Sequence, residues 1–310
     1  MILVTGAAGF AGSHVVEALG GREHVVGWMH HAPPPQEVAQ LAEWQRVDLL
    51  NLAEVREAIA RLKPSAVIHC AGAPNVAHSW RDTVTPLSAN VLATHHLFDA
   101  LHRTGTPCRV VVPGSATVYA GSSAPLTEES PVAPSNPYAV SKLAQEQLAL
   151  RAAREDGVEV IVTRSFNHTG PRQSAAFAAP NMARQIAMIE AGLAEPVIKT
   201  GNLDAQRDFT DVRDMAGAYI ALLRHGAATT LYNVASGTAR VMRSVLDALR
   251  ARARVHVRVE TDPGLMRPSD TPIVLGDATR LRRETGWQPK ISFDQTLDDL
   301  LNYWRGVTIA

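Results

Sequence analysis

The sequence predicts an α/β protein, a doubly wound parallel sheet with a smaller C-terminal α/β lobe. Two observations predict the sheet. Apolar strand-like runs alternate with helix-periodic stretches from residue 2 to residue 163, and the first run passes through a glycine-rich turn straight into an amphipathic helix. The smaller lobe follows from further helices and strands after residue 181.

Ile2-Leu3-Val4 reads as the first strand, Thr5 to Gly12 as the turn and Ser13 to Leu19 as the helix. The glycines are spaced G-x-x-G-x-x-G. Gly6 permits a tight turn, Gly9 lets the backbone approach a pyrophosphate, and Gly12 lets helix and strand pack closely. With Phe10 and Ala11 between them, they form a candidate dinucleotide site at a helix start. The second strand, Val25–Met29, should end near the adenosine ribose, where an acid would favour NAD and an arginine NADP. His30 and His31 stand there instead, so neither signature is present. The missing carboxylate and a protonatable His30 lean the reading from NAD(H) toward NADP(H). No third ligand is placed near the two histidines, so a metal is not expected.

The alternation continues with a strand at 43–47, a helix over Leu52–Leu62, a strand at 66–70, a helix over 85–103 and a strand at 109–112. Asp48 and Leu49 end the third strand, where a carboxylate can accept from an adenine amino group. Ala71-Gly72-Ala73, after the fourth, is small enough to let a cofactor pass. A helix starting at Pro137 and a strand at 158–163 close the set. Beyond it, helices are expected at 181–191, 212–223, 241–252, 278–285 and 293–303, with strands at 197–199, 231–234 and near 255–259. The strand at 231–234 should rejoin the nucleotide sheet. The expected division is therefore 1–165 with about 205–234 for the nucleotide, and 166–204 with 235–310 for the substrate.

Ser115 follows the fifth strand in Pro113-Gly114-Ser115-Ala116-Thr117-Val118-Tyr119, at a carboxyl end where catalytic hydroxyls are found. An ordinary turn serine is the plain alternative. Residues 135–142, Ser-Asn-Pro-Tyr-Ala-Val-Ser-Lys, place Tyr138 and Lys142 four apart on one helix face. Asn136 suits the N-cap and Pro137 the first helical position. The helix dipole and the Lys142 charge are expected to pull the phenol from ~10 toward the working pH. That suits a proton donor and acceptor at a carbinol carbon. Glycine loop, Ser115, Tyr138 and Lys142 in this order spell hydride transfer at a carbon bearing oxygen.

Composition narrows the partners. Thirty basic residues balance thirty acidic ones without a basic run, which argues against nucleic acid or an anionic membrane. No apolar run approaches the ~18 residues of a membrane span, and Met1 leads directly into the first strand, so a soluble cytoplasmic protein is expected. Cys70 and Cys108, each in or beside an apolar run, read as reduced core residues.

The glycine spacing, the Ser115 segment and Tyr138-x-x-x-Lys142 resemble the extended short-chain dehydrogenase/reductase family, over essentially the whole chain. The resemblance implies a Rossmann nucleotide domain, contact of Lys142 with the nicotinamide ribose, support of the active site by Asn90, and a homodimer through helices near 85–103 and 138–156. Residues 164–171 (Arg-Ser-Phe-Asn-His-Thr-Gly-Pro), 201–212 and 265–270 set the substrate; the last two each carry an arginine, Arg207 and Arg267, which suit a diphosphate. All three segments resemble enzymes acting on nucleotide-diphosphate sugars, most nearly the GDP-4-keto-6-deoxy-D-mannose reductases, which make GDP-D-rhamnose. By position, Asn167 would hold sugar or phosphates, Asn181 would lie near the diphosphate, Arg207 and Arg267 would clamp it, and Lys199 and Asp270 would touch guanine. A 4,6-dehydratase needs an acidic pair after the active-site hydroxyl, and Ala116 and Thr117 occupy those positions. A 4-epimerase uses the same Ser, Tyr and Lys and is the rival reading. A non-catalytic nicotinamide sensor would be expected to lose Tyr138 or Lys142, and both are present.

Overall fold

The computed structural model describes residues 1–74, 76–266 and 271–309. In chain order the elements are β1 (Ile2–Thr5), α1 (Phe10–Leu19), β2 (Val25–Met29), β3 (Glu43–Arg46), α2 (Leu52–Leu62), β4 (Ala66–His69), α3 (Val76–Ser79), α4 (Val84–Pro86), α5 (Ala93–Thr104), β5 (Arg109–Ser115) and α6 (Pro137–Glu155). Then come β6 (Glu159–Ser165), β7 (Asn167–Thr169), α7 (Ala178–Glu190), β8 (Val197–Thr200), β9 (Gln206–Asp211), α8 (Val212–His225), β10 (Thr230–Val234), β11 (Ala239–Val241), α9 (Met242–Ala251), β12 (Arg258–Thr261), β13 (Ile273–Val274), α10 (Thr279–Thr285) and α11 (Phe293–Ile309).

Seven strands form one parallel sheet in the order β10-β6-β5-β4-β1-β2-β3. The order reverses between β1 and β4, which opens a crevice above the carboxyl ends of these strands. Strand apolarity explains why the sheet is covered on both faces. Ile2, Val4, Val111 and Ile161 enter the core on the α1 and α8 side, while Leu3, Val110, Val112, Val160 and Val162 enter the core under α2, α5 and α6. Alternate residues of one apolar run thus serve two cores, as a parallel strand buried on both faces requires. A third core gathers α7, α9 and α11 around Ile186, Leu249 and Leu300. The doubly wound prediction holds, including the return of β10 to pair with β6.

Several local expectations are corrected. Residues 167–169 form a short strand paired with β9 rather than a loop, and the segment around Arg207 is itself strand β9. Their polar content hides a strand that pairs through backbone atoms. The strand expected near 255–259 lies at Arg258–Thr261, in register with β8. The helix expected over 85–103 contains a π-helical stretch, Leu87–Leu92, with one extra residue per turn. Cys70 and Cys108 are free thiols, and burial pushes both up to about 12.

Two polar ties cross the fold. Arg164 on β6 grips Glu146 on α6 with two bonds, Nε to Oε2 at 2.9 Å and an amino nitrogen to Oε1 at 2.6 Å, and lies 4.6 Å over the Tyr119 ring. His14 on α1 reaches the segment after β7: its Nε2 lies 3.0 Å from the Pro171 carbonyl, and Arg172 meets its Nδ1 at 2.7 Å. Since guanidinium only donates, Nδ1 accepts and Nε2 carries the proton. Burial, and then the Arg172 charge, lowers His14 to about 4.

Glu146→Ala should strand a buried guanidinium and cost about 3–5 kcal/mol in urea unfolding; a loss under 1 kcal/mol would refute a buried tie. His14 has its folded-state value below the ~6.5 of a free histidine. Its neutral form therefore stabilises the fold fully above that pH, and the contribution is lost as pH falls toward about 4. The difference in unfolding free energy between the native chain and His14→Gln should narrow from pH 7 to pH 4; a constant gap would show that His14 is not the group titrating.

Candidate active site

The site is built where β5 ends and α6 begins. β5 runs on to Ser115, whose extended backbone (φ −148°) turns its hydroxyl to accept from the Thr117 amide at 3.3 Å and to share a hydrogen bond with Thr117 Oγ1 at 2.9 Å. Asn136 caps α6 by accepting from the Ala139 amide at 2.9 Å, and Pro137 supplies a first helical residue that needs no acceptor. Tyr138 therefore falls in the first turn, where its amide donates to Ser79 Oγ at 3.3 Å and its side chain is buried.

Lys142 lies one turn along and is 8% exposed. Its ammonium donates to the Pro113 carbonyl on β5 at 2.7 Å and to Gln145 Oε1 at 2.6 Å. The expected lowering of Tyr138 by Lys142 is not what the structure holds. Burial pushes the phenol up, the nearby Ser115 hydroxyl offsets part of that rise, and Lys142 is turned to its own acceptors. Burial brings Lys142 itself down to about 8.

Asn90 connects this pair to the crevice. Its Oδ1 accepts from the Ala73 amide at 2.8 Å, and its Nδ2 donates to Ser141 Oγ at 2.9 Å, whose hydroxyl in turn reaches the Tyr138 carbonyl at 2.8 Å. A Cβ on Gly72 would stand 2.4 Å from Asn90 Oδ1, so that position admits only glycine. Ala71 approaches so closely to Gly6 that a Cβ there would come within 2.7 Å of its backbone. A Cβ on Gly12 would lie 2.2 Å from the Gly6 carbonyl, which is the close helix packing read from the sequence.

The start of α1 fits an anion. Gly9 at its N-cap brings no side-chain acceptor, and no acidic residue stands in the first turn, so the helix's backbone donors are left for a ligand such as a dinucleotide's diphosphate. The Phe10 ring is turned away to stack on His168 at 5.7 Å with an interplanar angle of 5°, so Phe10 presents only backbone to that helix start. At the far end of the crevice His30 and Asp48 stand together, His30 Nε2 3.7 Å from Asp48 Oδ1, both partly exposed. The Leu49 carbonyl accepts from His96 Nδ1 at 2.9 Å, so this residue anchors the loop by its backbone.

The substrate candidates fall into two groups. Asn167 is exposed on β7 and pairs in register with Phe209 of β9, two residues from Arg207. One amino nitrogen of the Arg207 guanidinium donates to the Gln206 and Thr271 carbonyls, both at 2.8 Å. Asn181 occupies the first turn of α7, one turn before Gln185, which clasps the Lys199 backbone at 2.8 and 3.0 Å. Arg267 and Asp270 lie outside the described residues.

Sequence reasoning missed the polar residues that support the pair from behind. His69 bridges Thr5 Oγ1 at 2.7 Å and Thr94 Oγ1 at 2.9 Å, and Gln145 Nε2 donates to Thr94 Oγ1 at 2.8 Å. The available signal was a histidine closing an apolar strand, where a buried polar group demands partners.

Comparison with known proteins agrees with this fold. Residues 3–300 match the family model described as GDP-mannose 4,6 dehydratase. The chain is 37% identical over 306 residues to a GDP-6-deoxy-D-mannose reductase of Pseudomonas aeruginosa, covering 98% of this chain and 96% of that one. Among solved structures it is similar to RMD from Pseudomonas aeruginosa complexed with NADPH, with TM-score 0.87, 35% identity and 99% of each chain covered. It is also similar to a Thermus thermophilus UDP-glucose 4-epimerase in complex with NAD, with TM-score 0.87, 28% identity and 98% and 99% covered. The chain belongs to the GDP-mannose 4,6 dehydratase family, a branch of the extended short-chain dehydrogenase/reductases, and is an enzyme of the oxidoreductase kind.

Proposed function

We propose that this enzyme reduces the C4 ketone of GDP-4-keto-6-deoxy-D-mannose to a GDP-6-deoxyhexose, GDP-D-rhamnose, with Tyr138 as general acid. The observation that carries the reading is a buried Tyr138 phenol near enough to the Ser115 hydroxyl for that group to influence its ionisation, in a site whose next two residues, Ala116 and Thr117, carry no acid. Dehydration would need acid-base groups there, whereas ketone reduction needs one proton donor and one orienting hydroxyl. The 37% identity to a reductase supports the same choice.

Gly6, Gly9 and Gly12 with the α1 amides would hold the diphosphate of a nicotinamide cofactor, and Ala71, Gly72, Ala73 and Asn90 would border its path. When bound, that cofactor supplies hydride. His30 at the ribose end favours NADP(H), and a similar structure was solved with NADPH. Because burial raises its phenol, Tyr138 is protonated at neutral pH, the form a reductase needs. It gives that proton to the C4 oxygen while Ser115 hydrogen-bonds the same atom. Lys142 stays cationic to about 8 and favours the phenolate that remains. Asn167, Asn181, Lys199, Arg207, Arg267 and Asp270 are read as contacts to the GDP-sugar, on a lobe comprising residues 166–204 and 235–310.

The epimerase reading retains one specific support, the full-length similarity to a UDP-glucose 4-epimerase. No helix among the described residues is long and apolar enough to cross a membrane. A homodimer is read from exposed apolar residues on α4, the π-helical stretch and α6, among them Val84, Leu87, Leu92 and Val140.

Mixed with the ketosugar and NADPH, the protein should consume nicotinamide absorbance; flat absorbance together with interconversion of UDP-glucose and UDP-galactose would establish the epimerase instead. Tyr138→Phe should lose about 10²-fold or more in turnover while still binding cofactor. Reduction should weaken as pH rises through about 8, where Lys142 loses its proton. Leu92→Glu with Val140→Glu should shift sedimentation to a monomer.

A further inference from the structure

We infer that Gln145 is a positioning residue for Lys142: its amide oxygen holds the ammonium beside β5, and its amide nitrogen, bonded to Thr94, fixes which way that oxygen points. The inference rests on the proton-transfer role proposed for Tyr138 and Lys142 and adds to it a residue outside that pair.

Gln145 is fully buried on α6, one turn beyond Lys142, so its amide has no water to satisfy it. Its orientation follows from its neighbours. An ammonium has only donors, so the atom 2.6 Å from Lys142 Nζ must be the oxygen. The single hydroxyl proton of Thr94 is spent on the Asn90 carbonyl at 2.7 Å, so whatever meets Thr94 Oγ1 must donate, and Gln145 Nε2 does so at 2.8 Å. The same reasoning assigns the proton of His69 to Nε2, which faces Thr94, and leaves Nδ1 to accept from Thr5. A flipped amide would oppose donor to donor at Lys142 and acceptor to acceptor at Thr94, so one arrangement alone satisfies the set.

The groups that interact electrostatically with Lys142 are His69 and Cys70 at the end of β4, and Tyr138 lies one turn away on its own helix. Burial keeps His69 neutral down to about 3, holds the Cys70 thiol protonated up to about 12 and raises the Tyr138 phenol. No anion therefore stabilises the ammonium, and two neutral oxygens do so: the Pro113 carbonyl, which the backbone fixes, and the Gln145 amide, which a substitution can remove. Two of the three ammonium protons are engaged in this way, which leaves one for a ligand in the crevice.

The test follows Lys142 directly. The chain has only four lysines, Lys63, Lys142, Lys199 and Lys290, so carbon-13 labelled lysine side chains can be titrated by NMR, with Lys142→Arg assigning the signal. Gln145→Met keeps the size and removes the acceptor, so the Lys142 midpoint should move to lower pH. Gln145→Glu keeps the shape and adds a charge, so the midpoint should move to higher pH. Opposite displacements are the expected result, and an unmoved midpoint in both variants overturns the inference. Should Gln145→Met fail to fold, the Gln145→Glu titration decides alone. In ketosugar reduction at pH 7, Gln145→Met should lose about tenfold in turnover, with KM for the sugar changed less than twofold. If the native protein reduces no ketosugar, the proposed reaction is wrong, yet the lysine titration still decides the role of Gln145.

Discussion

A cation buried between a helix and a parallel sheet must find acceptors, and the demand of Lys142 for them organises this protein's centre. One acceptor is the Pro113 carbonyl near the end of β5, which keeps α6 close to the strand that carries Ser115. The other is Gln145, whose second contact passes to Thr94 and from there to Asn90 and His69. Each partner has its own role settled by the one before it. The lysine orients the Gln145 amide, and the Asn90 carbonyl, by taking the Thr94 proton, sets the direction of the hydrogen bonds that run on through His69 to Thr5, the last residue before the glycine turn.

The same economy links the crevice to the segment after β6. Phe10 turns its ring onto His168, and His14 holds the Pro171 carbonyl, so the first turns of α1 are packed directly against residues 168–172. Arg172 adopts a left-handed backbone (φ 70°) and bonds both His14 and Glu17. The helix whose start is free of side-chain caps is therefore also a wall for the segment that includes Asn167.

Much of this was legible in the sequence because it depends on local chemistry. The strand-turn-helix start, the Asn136 cap and the four-residue spacing of Tyr138 and Lys142 are all near-neighbour features; the cap and the spacing are found where expected, and the first helix begins at Phe10, three residues before Ser13. The ionisation of Tyr138 was misjudged because sequence shows a neighbouring charge but not burial, and burial proved the larger effect. Strands β7 and β9 escaped notice because their residues, such as Asn167, His168, Arg207 and Asp208, follow no apolar alternation. Asp208 shows why: its buried carboxylate accepts from Ser236, Gly237 and Gly276, and these long-range partners carry no local signal. Gln145 and His69 were invisible for a related reason, since their meaning lies in contacts 51 and 64 residues away.

The π-helical stretch Leu87–Leu92 places Asn90 one residue out of step with a regular helix. A residue inserted into an α-helix displaces what precedes it by about 100° around the axis, and here the offset aims an amide at Ala73 and Ser141 while α5 keeps Leu97 and Leu101 in the core. Length is therefore constrained at this point more tightly than composition. A one-residue deletion between positions 87 and 92 would let the helix relax to ordinary geometry and swing the asparagine off its partners, whereas many side-chain exchanges on its exposed face would leave that aim intact.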